Sequence, residues 1–198
     1  GCGIPQGGGL SPLFANMYLL PFDEAMLNRG FDMVRWADDF VVLCESKEEA
    51  WEAFEVASAE MEKQRLSLHS PEEQNGKTRV VRYYSGFDFL GLRFAKDGIG
   101  PERDKVNECR GRLKTIADEA GSFRRLLVDM DRFLSGWIAA YRCCEGDRSQ
   151  RTWAELNRDL ANAVAKNLGR FGLGLSWEKP MAEDFLLVMG LPVFGRYA

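Results

Sequence analysis

Apolar and polar positions change period several times along the chain, and each change marks an element. Residues 1–11 are Gly-rich, and Pro12 then stands at the first position of a helix predicted to run to Asn28. Leu13, Met17, Leu20, Glu24 and Leu27 share one face of that helix, Pro21 should kink it, and Gly30 should stop it. Residues 33–36 and 40–43 are β-prone runs on either side of Ala37-Asp38-Asp39, the pattern of a tight hairpin. Ser46-Lys47-Glu48-Glu49 is a capping box. It opens a second helix that buries Ala50, Phe54, Ala57 and Met61 and ends near Arg65.

A polar loop, residues 69–77, follows. Residues 78–84 and 87–94 are predicted as two strands joined at Ser85-Gly86. Asp97-Gly98-Ile99-Gly100-Pro101 is a strong breaker and the predicted domain boundary. Beyond it, Phe123, Leu126, Leu127, Met130, Phe133, Leu134, Trp137, Ile138 and Tyr141 recur at three- and four-residue steps, which predicts an amphipathic helix. Another helix is predicted over residues 152–168. The order of elements implies an α+β fold: an antiparallel sheet with packed helices over residues 1–98, a helical region over 101–170, and an unassigned tail over 171–198.

Charge adds an asymmetry to this picture. Residues 1–76 hold 5 Lys/Arg against 14 Asp/Glu, whereas residues 77–198 hold 21 against 16. An acidic first part suits divalent cations, and a basic second part can lie along phosphates. The five cysteines include no C-x-x-C pair and the single histidine is His69, so neither a disulfide framework nor a zinc site is indicated. The cysteine usage fits a reducing cytoplasm. No apolar run reaches the roughly 20 residues that span a bilayer, so no membrane partner is expected. With neither a signal peptide nor an initiator Met, the chain is expected to be part of a longer one.

The hairpin turn concentrates the candidate chemistry. Adjacent carboxylates at Asp38 and Asp39 repel unless a cation neutralises them. Mg²⁺ takes one or two carboxylates and completes its shell with phosphates, and two such ions can activate a hydroxyl and stabilise a leaving pyrophosphate. An exposed Asp-Asp turn with no chemistry is the alternative for the dipeptide by itself.

Context weighs against that alternative. Val34-Arg35-Trp36-Ala37-Asp38-Asp39-Phe40-Val41 resembles the aromatic-x-Asp-Asp hairpin of reverse transcriptases. The stretch Gly3-Ile4-Pro5-Gln6-Gly7 with Ser11-Pro12 and Asn16 is similar to the motif that precedes that hairpin in the family. Phe87-Asp88-Phe89-Leu90-Gly91 resembles the primer-grip hairpin, and Arg132-Phe133-Leu134-Ser135-Gly136-Trp137 with Tyr141 resembles the thumb helix of bacterial group II intron-type enzymes. The resemblance covers residues 3 to about 142 and implies the later part of a polymerase palm followed by an α-helical thumb.

It also implies roles. Asp38 would ligate two catalytic Mg²⁺ ions (Mn²⁺ a possible substitute), with Asp39 supporting the same site. Pro5, Gln6, Gly7 and Trp36 would border the incoming dNTP, the RNA template and the primer end, although the family more often has Tyr at the place of Trp36. Lys77 would lie near the nucleotide phosphates, but it follows a longer loop than in similar enzymes. Phe89, Leu90 and Gly91 would form the turn that grips a DNA or RNA primer. Arg103, Lys105, Arg110, Arg112 and Arg124 would hold the nucleic-acid backbone by charge and shape, unless interleaved acids such as Asp104, Glu108 and Asp118 neutralise them. A third carboxylate is expected upstream of the Pro-Gln-Gly motif, so these 198 residues alone are expected not to polymerise. A non-catalytic RNA-binding maturase or degenerate module, and a defence or CRISPR-associated reverse transcriptase, are the alternative readings. No nuclease signature is found.

Overall fold

Helix α1, Ser11–Asn28, begins with Pro12 in its first turn and continues through Pro21. A proline there removes one backbone donor from the helix interior. The helix ends on Gly30 at φ +83°, with Gly30 N–H donating to Leu27 O at 2.9 Å and Phe31 N–H to Met26 O at 3.2 Å. That pair of bonds is a Schellman stop. The buried face of α1 is Leu19, Phe22 and Met26. The apolar face expected from spacing is the exposed one: Leu13, Met17, Leu20 and Leu27 all lie open. The helix is apolar on nearly all sides, so periodicity has little contrast from which to choose a face.

The computed structural model describes residues 8–73, 77–173 and 182–195, and the chain divides into two compact units, Gly1–Arg82 and Tyr83–Ala198. In the first unit, β1 (Asp32–Trp36) pairs antiparallel with β2 (Asp39–Leu43), Trp36 opposite Asp39. Asp39 is thus the first residue of β2, leaving Ala37 and Asp38 as the two-residue loop. Helix α2, Lys47–Lys63, is capped as predicted: Ser46 Oγ accepts from Glu49 N–H at 3.0 Å. Its buried residues are Ala53, Val56, Ala57 and Met61, which close a small core with Leu19, Phe22, Met26 and Phe31. Phe22 and Met26 are fully buried, each contributing about 1.5–3 kcal/mol by the area they remove from water.

In the second unit, β3 (Phe87–Phe89), β4 (Leu92–Ala95) and β5 (Gly98–Pro101) form an antiparallel sheet in that order. The turn lies at Leu90-Gly91, so the run 87–94 is a hairpin in itself and not one strand joined to another at Ser85-Gly86. Residues 78–82 take no regular structure, and Tyr83–Ser85 forms a single 3-10 turn where a strand was expected. The breaker at 97–101 becomes β5, which pairs through Ile99 with Glu145 at the start of α5.

Helices α3 (Arg103–Glu119), α4 (Phe123–Ala140), α5 (Gly146–Arg170) and α6 (Ala182–Val188) complete this unit. The α4 helix buries Leu126, Met130 and Leu134 from the predicted stripe. The α5 helix starts earlier than predicted because Gly146, at φ +84°, packs against Asp97 and Gly98. Part of the tail belongs to this core: Leu191, Val193 and Phe194 are buried. Asn157 fixes it, accepting from Phe194 N–H at 3.0 Å and donating to Phe194 O at 3.3 Å. The molecule is therefore α+β, with two separate antiparallel sheets among the described residues.

Candidate active site

The β1–β2 loop has only two residues, so its first position must take a left-handed or otherwise strained conformation. Ala37 holds that position at φ +55°. Glycine is the usual occupant, and an alanine there costs on the order of 1–2 kcal/mol. Arg35 supports it. From the covered face of β1, its Nη1 donates to Ala37 O at 2.7 Å and to Asn16 Oδ1 at 3.1 Å. Its Nε and Nη2 donate to the two carboxylate oxygens of Asp23 on α1, at 2.7 and 2.5 Å. A charge-assisted bond of this kind contributes about 1.5–3 kcal/mol, enough to offset the strain at Ala37. The hydrogen bond to Asp23 also raises the Arg35 pKa above its already high ordinary value, so the fork stays charged.

This support leaves both carboxylates outward. Asp38 and Asp39 are exposed and form no ion pair among the described residues. Because Trp36 lies directly opposite Asp39, the two side chains share the uncovered face of the sheet with Val34 and Val41. Trp36 is 68% exposed, which removes it from the hairpin core. The result is a pair of hard oxygen donors beside an open apolar surface. Their chemistry fits Mg²⁺, for which two carboxylates are part of a shell. Among the described residues, no three His, Cys, Asp or Glu side chains gather into a fuller metal cluster.

The second hairpin carries a similar device. Leu90 at φ +52° and Gly91 at φ +77° form a two-residue loop with both residues left-handed. Leu90 is 48% exposed, so its side chain gains little burial for the strain. Glu102 N–H donates to Gly91 O at 2.9 Å. The Lys105 stem and the Tyr141 hydroxyl stand over Gly91, each 3.6 Å from where a Cβ would be. Burial raises the Tyr141 pKa, and the nearby Lys105 charge partly opposes that.

The other predicted residues fall into four groups. Pro5, Gln6 and Gly7 lie outside the described residues. Lys77, Arg103, Arg112 and Arg124 are exposed. Lys105 and Arg110 are paired: Lys105 with Glu108 at 3.0 Å, and Arg110 with Asp159 at 2.7 Å and Glu155 at 2.9 Å. Phe89 is half-buried at the end of β3, opposite Leu92. Sequence reasoning assigned no role to Arg35 or Asp23. Their signal is an arginine inside a largely apolar strand that follows a helix whose two acids, Asp23 and Glu24, stand in a largely apolar run.

Among the described residues, no helix is long and apolar enough to cross a membrane. In a comparison with known families, the family described as reverse transcriptase (RNA-dependent DNA polymerase) matches over residues 1–94. No curated protein matches the chain.

Proposed function

We propose, from the match of residues 1–94 to the reverse transcriptase family, that the chain supplies two of the metal-binding carboxylates of an RNA-directed DNA polymerase. In this reading, residues up to the primer-grip hairpin belong to the palm and the helices that follow to a thumb of the group II intron type. The single observation that carries the proposal is the outward pair Asp38 and Asp39 on a strained turn within the matched segment.

Asp38 and Asp39 would hold Mg²⁺, which when bound supplies charge neutralisation for the attacking primer hydroxyl and the departing pyrophosphate. The protein's own part is positional. Arg35 keeps Ala37 left-handed, the hairpin register sets Trp36 beside Asp39, and the open face leaves room for a primer end. Leu90 is proposed to meet the primer strand, and the exposed Arg103, Arg112 and Arg124 to follow the phosphates of a template–primer duplex. Lys105 and Arg110 are already neutralised by acids and contribute less.

Asp38→Ala in the full-length protein should abolish primer extension on an RNA template while leaving RNA binding largely intact. Extension at the wild-type rate by that variant contradicts the site.

A further inference from the structure

We propose that Arg35 is a positioning residue of the polymerase centre, holding the Ala37–Asp38 turn in its strained conformation through one fork shared between the turn and helix α1. The proposal rests on the reading of Asp38 as a metal ligand. Three observations carry it. The guanidinium reaches three separate groups at once: the Ala37 carbonyl, the Asn16 amide oxygen and both oxygens of Asp23. Ala37 sits at φ +55°, where no side chain of its own rewards the conformation. The Arg35 side chain is only 10% exposed and its two bonds to Asp23 are part-buried, so the edge that anchors it to α1 is the one most shielded from water.

The shape of the group matters more than its charge. A planar guanidinium offers donors in fixed directions, one edge for the carboxylate and another for the turn. An ammonium at the same place would keep the attraction to Asp23 and lose the simultaneous bond to Ala37 O. Asp38 follows Ala37 directly, so its backbone direction is set by the same bond. A loosened turn would therefore change where the metal is held before it changed whether the domain folds.

The test compares Arg35→Lys, Asp23→Asn and Asp38→Ala in the full-length protein, with kcat, the KM for dNTP, the Mg²⁺ concentration at half-maximal rate, and Tm. Arg35→Lys should lower kcat by about 10- to 100-fold, the size of effect that misplacing a catalytic group by about 1 Å produces. It should raise the Mg²⁺ requirement several-fold and leave the KM for dNTP within about twofold. Asp23→Asn should move the same quantities in the same direction by less. Wild-type kcat and Mg²⁺ requirement in Arg35→Lys would overturn the proposal. Should that variant fail to fold, the same result in Asp23→Asn would overturn it. A lowered Tm with unchanged kcat per folded molecule also counts against it. If Asp38→Ala retains activity, the metal-site reading itself fails. If Asp38→Ala is inactive and the Arg35 and Asp23 variants behave as wild type, only the clamp fails.

Discussion

The two hairpin turns solve one problem by different means. Each places a non-glycine residue in the left-handed region, Ala37 at φ +55° and Leu90 at φ +52°. At Ala37 the support is ionic and comes from the same strand and the helix before it, through Arg35, Asn16 and Asp23. At Leu90 the support is one backbone bond from Glu102 with packing from Lys105 and Tyr141, on two different helices. A polar fork fixes direction tightly, which suits the metal-binding role proposed for Asp38. Packing over a glycine fixes position more softly, which suits the primer contact proposed for the exposed Leu90.

The comparison can be strained first at Gly91. A Cβ there meets only ordinary contacts at 3.6 Å, so Gly91→Ala should be costly through its φ of +77° and not through space. We expect a loss of about 1–2 kcal/mol, read as a lower midpoint in denaturant. An unchanged midpoint would show that the second turn is not held left-handed.

A finer comparison replaces each strained residue by glycine. Ala37→Gly and Leu90→Gly should each raise stability by up to about 1 kcal/mol, since strain is relieved. Their functional costs should differ. Ala37→Gly should lower kcat with primer affinity kept, while Leu90→Gly should weaken primer–template binding with kcat kept at saturating primer. Identical profiles for the two variants would erase the distinction drawn above.

The smallest effect concerns the packing beside the second turn. Burial pushes the Cys109 and Cys144 thiols up to about 12, so at pH 8 both stay protonated and unreactive. Cys143, beside Cys144, is exposed. A thiol reagent at pH 8, read by mass spectrometry, should therefore modify Cys143 and spare Cys109 and Cys144. Tyr141→Phe removes the hydroxyl over Gly91 but keeps the ring, and should leave that labelling pattern unchanged. Labelling of Cys144 in the wild type would show that the end of α4 is looser than its packing implies.

Much of this was legible from residue patterns, and the exceptions have physical reasons. The first hairpin was readable because two β-prone runs flank a short polar turn. The Ser46 cap was readable because capping is local. The second hairpin was misplaced by strand propensity alone, because turn rules expect Asn or Gly at φ > 0 and Leu90 breaks them, whereas the family resemblance put the turn at Phe89-Leu90-Gly91. The buried face of α1 was misassigned because an all-round apolar helix hides its orientation until a partner covers Leu19, Phe22 and Met26. The clamp was missed because Arg35 meets partners 12 and 19 residues upstream, and nothing local announces such a meeting.

The central claim is that the outward carboxylate of the first turn does chemistry while the second turn handles the primer. It is tested most directly by measuring single-turnover primer extension and primer–template affinity side by side for Asp38→Ala and Leu90→Gly in the full-length protein. The account predicts that Asp38→Ala abolishes extension with affinity near wild type, and that Leu90→Gly loses affinity while extension at saturating primer persists. Wild-type extension by Asp38→Ala would contradict it.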